Sequence, residues 1–265
     1  QGLALLERIG DEYGASKVYN NLAVIYYETD LARSAVYFER ALQTMQRFGD
    51  VHAESTLYQN LGIIYYARGN YDQAIGYYQR SLKMKERLGD SLGIADCYIN
   101  LGEAYRAQGN PAQAIVHLIK GLSVAQQIGA GQAETECHRQ LAECWLENNE
   151  PSSALMSCRE ALEHACKIGD RKEEGIIYRV MGDAYLRLHD PASAITHLEQ
   201  SMAILRELNG EFDLGTTLYD YALALKESGQ MARARERLLE AMALFGRLQL
   251  PQEQAKVKAA LDQMA

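Results

Sequence analysis

The dipeptides Gly10-Asp11, Gly49-Asp50, Gly89-Asp90 and Gly169-Asp170 recur along this chain at spacings of 39, 40 and 80 residues. Gly129-Ala130 and Asn209-Gly210 stand at the two positions in register where the pair is altered, so the period holds from end to end. A unit of this length is one supersecondary element that cannot bury its apolar face alone. It must stack on copies of itself, which makes the chain a repeat array.

Inside the period a second pattern repeats. One unit reads Tyr58-x-x-Leu61-Gly62-x-x-Tyr65, then Gly69-Asn70-Tyr71, then Ala74-x-x-x-Tyr78-x-x-Ser81-Leu82; the next has Tyr98, Leu101-Gly102, Tyr105, Gly109-Asn110, Ala114, Leu118 and Gly121-Leu122. Apolar residues fall three and four apart on both sides of a Gly-Asn break, so each unit is two amphipathic helices joined by a tight turn. Asn110-Pro111, Glu150-Pro151 and Asp190-Pro191 share one repeat position. There a proline in the first helical turn loses no hydrogen bond. In the Gly-Asp pairs, glycine supplies the left-handed residue that ends one helix and aspartate caps the next.

These residues resemble the tetratricopeptide repeat, whose small and large positions recur in six successive units. The first carries Tyr19, Leu22-Ala23, Tyr26, Ser34, Phe38 and Ala41-Leu42, with one residue missing from its turn. The fourth has Leu141-Ala142, Trp145, Ala154, Cys158 and Ala161-Leu162; the fifth has Tyr178, Met181-Gly182, Tyr185, Ala194, Leu198 and Ser201-Met202. The sixth is the loosest, with Leu218, Tyr221-Ala222, Leu225, Gly229, Ala234, Leu238 and Ala241-Met242. The resemblance implies an all-α superhelical solenoid of antiparallel helix hairpins. Small residues at 23, 62, 102, 142, 182 and 222 are expected to let the paired helix approach, with a methyl the largest group that fits. At least eight of the seventeen tyrosines fall at two core positions of the repeat.

The expected organisation is a second-helix remnant of a preceding repeat over 1–10, six hairpins over 11–250 and a capping helix over 251–265, together one solenoid domain. Gly2-Leu3 aligns with Ala41-Leu42 and there is no initiator methionine, so the chain reads as a fragment of a longer protein continuing upstream.

Several function classes are disfavoured. No apolar run approaches the ~20 residues of a membrane span, and no secretory signal is present. A net charge of −8 with no basic stripe disfavours nucleic acid. The five cysteines, at 97, 137, 144, 158 and 166, show no C-x-x-C spacing and read as small core residues of a reducing, cytoplasmic compartment. His164 with Cys166, and Cys137 with His138, are too close in sequence to face one another on a helix, so no metal is expected. Phosphate loops, nucleophile elbows and H-E-x-x-H pairs are absent, so neither catalysis nor a cofactor is expected.

By the resemblance, the concave face is lined by the first helix of every hairpin and takes a protein or peptide. Its residues are Asn20, Asn21 and Tyr27 in the first unit, Gln59, Asn60 and Tyr66 in the second, and Ile99, Asn100, Glu103 and Arg106 in the third. Asn21, Asn60 and Asn100 occupy one repeat position, and a row of carboxamides can bond an extended backbone without demanding its sequence. An equally weighted reading is that asparagine is simply common there in the family. In later units the same position holds Gln140, Val180 and Asp220, and charge takes over: Arg139 with Glu143, Arg179 with Asp183, Arg187, Lys226 and Glu227. A self-paired, solvated face at i,i+4 spacing is favoured there over an arginine clamp.

Two groups within the family resemble this forty-residue unit. One is the C-terminal sensor arrays of bacterial signal-transduction ATPases of the STAND type and of maltose-regulator-like transcription regulators; the other is the spindle-orientation adaptors. The first implies a sensor of a protein or small molecule, the second a peptide-binding scaffold. The upstream continuation favours the sensor.

Overall fold

The computed structural model describes residues 2–264. Gln1 and Ala265, the outermost residues of the two terminal segments, lie outside the described residues. Among these there are fourteen α-helices and no strand: α1 Gly2–Ile9, α2 Glu12–Tyr26, α3 Leu31–Phe48, α4 Val51–Ala67, α5 Tyr71–Leu88, α6 Ser91–Ala107, α7 Pro111–Ile128, α8 Gly131–Glu147, α9 Pro151–Ile168, α10 Arg171–Arg187, α11 Pro191–Glu207, α12 Glu211–Glu227, α13 Met231–Arg247 and α14 Pro251–Asp262. The architecture is an all-α solenoid of helical hairpins.

The turns explain the regularity of these boundaries. From Gly49 onward a left-handed residue stands every twenty positions: glycine at 49, 69, 89, 109, 129, 169 and 229, with Asn149, His189, Asn209 and Gln249 at the rest. The α2–α3 turn has none and closes through Asp30 N–H donating to the Tyr26 carbonyl, which is where the first unit is one residue short. Beyond the turns, the carboxylates of Asp11, Asp30, Asp50, Asp90, Asp170 and Asp190 accept the amide three residues on, as does the Asn110 carboxamide. Each such cap contributes about 1 kcal/mol.

Two compact units divide the chain, Gln1–Ala133 and Glu134–Ala265. In the first, one core joins α2, α3 and α4 around Phe38, Met45, Leu57 and Leu61, and a second gathers Ala74, Ile75, Tyr78, Leu101 and Ala104. In the second unit Ala142, Leu155, Cys158, Ile177 and Met181 form one cluster, with Trp145 half-buried against it; Leu198, Leu218, Leu225, Leu238 and Phe245 form the other.

In three hairpins the small position is a glycine that a large facing side chain has filled. A Cβ added at Gly62 would lie 2.4 Å from Tyr78 Cε1, at Gly102 2.6 Å from Leu118 and at Gly182 2.4 Å from Leu198. The expectation that a methyl fits at every small position is therefore corrected: at these three glycines the facing large side chain already occupies its place. Alanine stands at 142, where the facing residue is the smaller Cys158, both of them fully buried. Ser81 Oγ donates to the Ser55 carbonyl at 2.8 Å, possible only where the two helices touch.

The eight repeat-position tyrosines differ from expectation. Tyr19, Tyr26, Tyr58, Tyr65, Tyr98, Tyr105, Tyr178 and Tyr185 are all half-buried, while the tyrosines at 78 and 221 are the buried ones. In four hairpins such a pair sandwiches one ring from the second helix. Tyr37 lies 6.0 and 5.6 Å from Tyr19 and Tyr26, Tyr77 lies 6.1 and 5.2 Å from Tyr58 and Tyr65, and His117 and His197 stand in the same place in the third and fifth units. The guanidinium of Arg80 lies over both Tyr58 and Tyr77. Amphipathic rings bury their faces against one another and keep their hydroxyls at the surface.

Candidate recognition face

In the first unit the residues singled out from sequence lie on α2, α4 and α6, the first helices of their hairpins. Asn21 is exposed, and Asn20, Asn60 and Asn100 are half-buried. Among the described residues none of these four carboxamides has a hydrogen-bond partner within the protein. Asn20 and Asn21 edge a hollow of about 390 Å³ whose floor is Ala41, Met45, Ala53 and Leu57 and whose rim includes Lys17. Tyr27 is the exposed C-terminal cap of α2. Ile99 departs from the expected lining, because it is buried.

The other residues of this face are tied to one another. Gln59 Oε1 accepts from the buried Lys85 ammonium at 2.5 Å, and Asp96 lies beside that ammonium. Tyr66 lies tilted against Tyr71, ring centroids 5.6 Å apart, and gives its hydroxyl to Glu103, with Arg106 nearby. Burial first, then Glu103, hold the Tyr66 phenol well above its ordinary range. Tyr78 is 2% exposed, and its ring passes Gly62 to reach the neighbourhood of Glu103, Tyr66 and Tyr27.

Lys85 and Tyr78 were missed from sequence as members of this face, although a signal existed. The position of Lys85 is otherwise Met45, Ala125, Ala165, Leu205 and Phe245, and that of Tyr78 is Phe38, Leu118, Cys158, Leu198 and Leu238. A polar head at an apolar repeat position, long enough to cross the hairpin, is the trace of a side chain that reaches the other face.

In the second unit the charged residues form a partly buried network. Arg139 uses all three guanidinium nitrogens: one on Glu136, one on Glu143 at 3.0 Å and Nε facing Glu173 at 2.9 Å. Arg179 departs from its expected i,i+4 partner. It lies 3.6 Å from Asp220 and 3.9 Å from Glu143, while Asp183 pairs with Arg187 at 3.2 Å. Carboxylates on the flanking helices α8 and α12 point at Arg179 across the same floor, and these low-dielectric partners outcompete the solvated one on its own helix. Arg187 also donates to the Leu146 carbonyl at 2.8 Å. Val180, at the carboxamide position, is buried.

Burial disfavours the Arg139 charge, but the three carboxylates outweigh it and hold its pKa above the ordinary value. The carboxyls respond oppositely. Burial raises Glu173 against the pull of Arg139, and pushes Asp220 up to about 6 against Arg179. Cys158, beneath this floor, is pushed up to about 12 by burial and by Glu143.

A stability dependence follows from Asp220. Its folded pKa lies above the ~3.9 of an unfolded aspartate, so the native state holds the proton more tightly. Its contribution is therefore present at low pH and lost as pH rises through about 6. Between pH 7.5 and 5 the urea midpoint reported by Trp145 fluorescence should rise, by up to about 1.4 kcal/mol in stability, and Asp220→Asn should flatten the rise. A midpoint that falls steadily on acidification to pH 5 in the parent chain would contradict this.

Among the described residues no three His, Cys, Asp or Glu side chains could share a metal ion, and no helix is long and apolar enough to cross a membrane.

Comparison with known proteins agrees with this hairpin geometry. The tetratricopeptide repeat model matches residues 14–87, 53–127, 132–207 and 173–247, and the chain belongs to that family. No curated protein matches it by sequence. Among solved structures it is similar to a Signal Transduction ATPase with Numerous Domains with a tetratricopeptide repeat sensor from Pyrococcus horikoshii, at 19% identity and TM-score 0.70. That match covers 94% of this chain and 38% of the other. The apo form of RapI is similar at 17% identity and TM-score 0.75, with 92% and 89% covered. A Rap protein complexed with Competence and Sporulation Factor is similar at 11% identity and TM-score 0.69, with 96% and 74% covered. At these identities the likeness is one of fold.

Proposed function

We propose that this chain is a non-catalytic recognition module that receives an extended protein segment on its first-helix face, as the sensor part of a signalling ATPase of the STAND type. The observation that carries this reading is the row of carboxamides at Asn21, Asn60 and Asn100, one register position on three successive first helices and unpartnered among the described residues. Each offers a donor and an acceptor to a passing peptide unit. The fold-level likeness to a tetratricopeptide sensor and to a Rap protein in complex with a factor supports the class of partner. A small-molecule reading draws on the hollow beside Asn20 and Asn21, whose apolar floor and polar rim suit a compact ligand.

The test starts from a peptide selected against the chain from a random display library. Changing Asn21, Asn60 and Asn100 singly to alanine should weaken it about two- to tenfold each, the loss of ~0.5 to 1.5 kcal/mol per site, with circular dichroism and melting unchanged. A folded triple variant that binds the peptide as tightly as the parent would remove the carboxamides from recognition. Competition by compact ligands alone would favour the hollow.

A further inference from the structure

We propose that the second unit carries a binding site for a primary ammonium group, built from Gln140, Glu136 and Glu173 on the floor between α8 and α10. The inference rests on the reading of the first-helix faces as recognition surfaces and adds the chemistry that the second unit selects.

This floor carries an imbalance of charge. Two guanidiniums, Arg139 and Arg179, meet four carboxylates, Glu136, Glu143, Glu173 and Asp220. Two nitrogens of Arg139 are bonded to Glu136 and Glu143, its Nε lies 2.9 Å from Glu173 without a hydrogen bond, and Arg187 is held by Asp183 and the Leu146 carbonyl. Even with the Lys256 ammonium near Asp220, negative charge remains in excess on a floor whose acidic side chains are only 14 to 29% exposed.

Acidic residues alone would not define a site, and the independent observation is Gln140. It is 3% exposed, its Nε2 donates to Glu136 at 2.7 Å, and its Oε1 is buried without any partner. The carboxamide cannot relieve this by turning over, since that would place its oxygen against the Glu136 carboxylate. A buried acceptor of this kind is destabilising unless a donor arrives. The chemistry also chooses the ligand. An anion would face four carboxylates, and a neutral hydroxyl could satisfy Gln140 but not the charge. A compact ammonium with three donors can serve Gln140 Oε1 and the Glu136 and Glu173 oxygens together. Such a group arrives either as a lysine side chain of a protein segment or as a free alkyl diamine.

Two probes separate those sources: 1,4-diaminobutane, and an acetylated, amidated alanine pentapeptide with a central lysine. A pentapeptide with norleucine in place of lysine is the uncharged control. Binding is followed by the side-chain amide resonance of Gln140 in the intact chain. Saturable shifts with either cationic probe and none with the norleucine control are expected. Glu173→Gln and, separately, Gln140→Met should each weaken the cationic probe about tenfold or more, the scale of one charge-assisted hydrogen bond. Gln140→Met keeps the side-chain volume and removes the orphaned oxygen, so a folded, non-binding variant supports the site even if Glu173→Gln fails to fold. Preference for the peptide assigns the ammonium to a partner lysine, and preference for the diamine to a small ligand. The proposal is overturned if neither cationic probe saturates at millimolar concentration, if the norleucine peptide binds equally well, or if folded Gln140→Met binds like the parent. Should that happen while the asparagine variants still lose their selected peptide, only the ammonium site falls and the recognition face stands.

Discussion

Replacing Arg139 with methionine is expected to cost about 3 to 5 kcal/mol at neutral pH, the range for removing one partner from a buried ionic cluster. The side chain is 15% exposed and holds three carboxylates that are themselves 29%, 14% and 20% exposed. Without it, Glu136, Glu143 and Glu173 face one another with Arg179 as the remaining cation in contact, 3.9 Å from Glu143. Methionine fills most of the volume, so the loss isolates the charge and not a cavity. The penalty should shrink on acidification, because protonating the stranded carboxyls relieves their repulsion. Urea denaturation at pH 7.5 and 5 measures both effects. A cost below about 1 kcal/mol, the value for solvated pairs, would mean that water reaches this floor freely.

Gly182→Leu should cost about 3 kcal/mol, at the upper end for overpacking. The first atom added already lies 2.4 Å from Leu198 Cγ and 2.7 Å from its Cδ2, and Leu198 is itself fully buried, so α10 and α11 must separate. The Ala142 and Cys158 pair indicates the remedy. A Gly182→Ala, Leu198→Cys double variant copies that pair, and should lose less stability than the sum of its two single changes. Additive losses in that cycle, or a Gly182→Leu chain with an unchanged midpoint, would mean that the two positions do not face one another.

Much of this fold can be read from the sequence because its determinants are local. The Gly-Asp junctions, the prolines at first helical turns and the three- and four-residue apolar spacing each act within a few residues, and they locate the helices closely. Even so, His189 and Gln249 adopt the left-handed conformation with no local signal, since the turn geometry is imposed by the helices on either side. The tyrosine positions were identified, but their degree of burial was not. Whether a ring ends in the core or in an outer sandwich depends on residue 37, 77, 117 or 197 of the other helix.

The candidate site was less legible for the same reason. Spacing on one helix pairs Arg179 with Asp183, whereas the folded chain offers it Asp220, about forty residues away. The burial of Gln140, and the oxygen it strands, depend on α10 and on Glu136 as much as on its own position. Repeat register says which face a residue occupies. Partner choice on that face is decided between helices, where a one-dimensional period carries little information.

The distribution of aromatic residues gives the two compact units separate optical signatures. Thirteen of the seventeen tyrosines fall between Tyr13 and Tyr105 in the first unit, while the single tryptophan, Trp145, is half-buried in the second. Light absorbed by indole alone therefore interrogates the second unit without contribution from the carboxamide row, and tyrosine emission weights the first unit. One unlabelled sample carries its own two-colour readout of which half responds when a ligand is added.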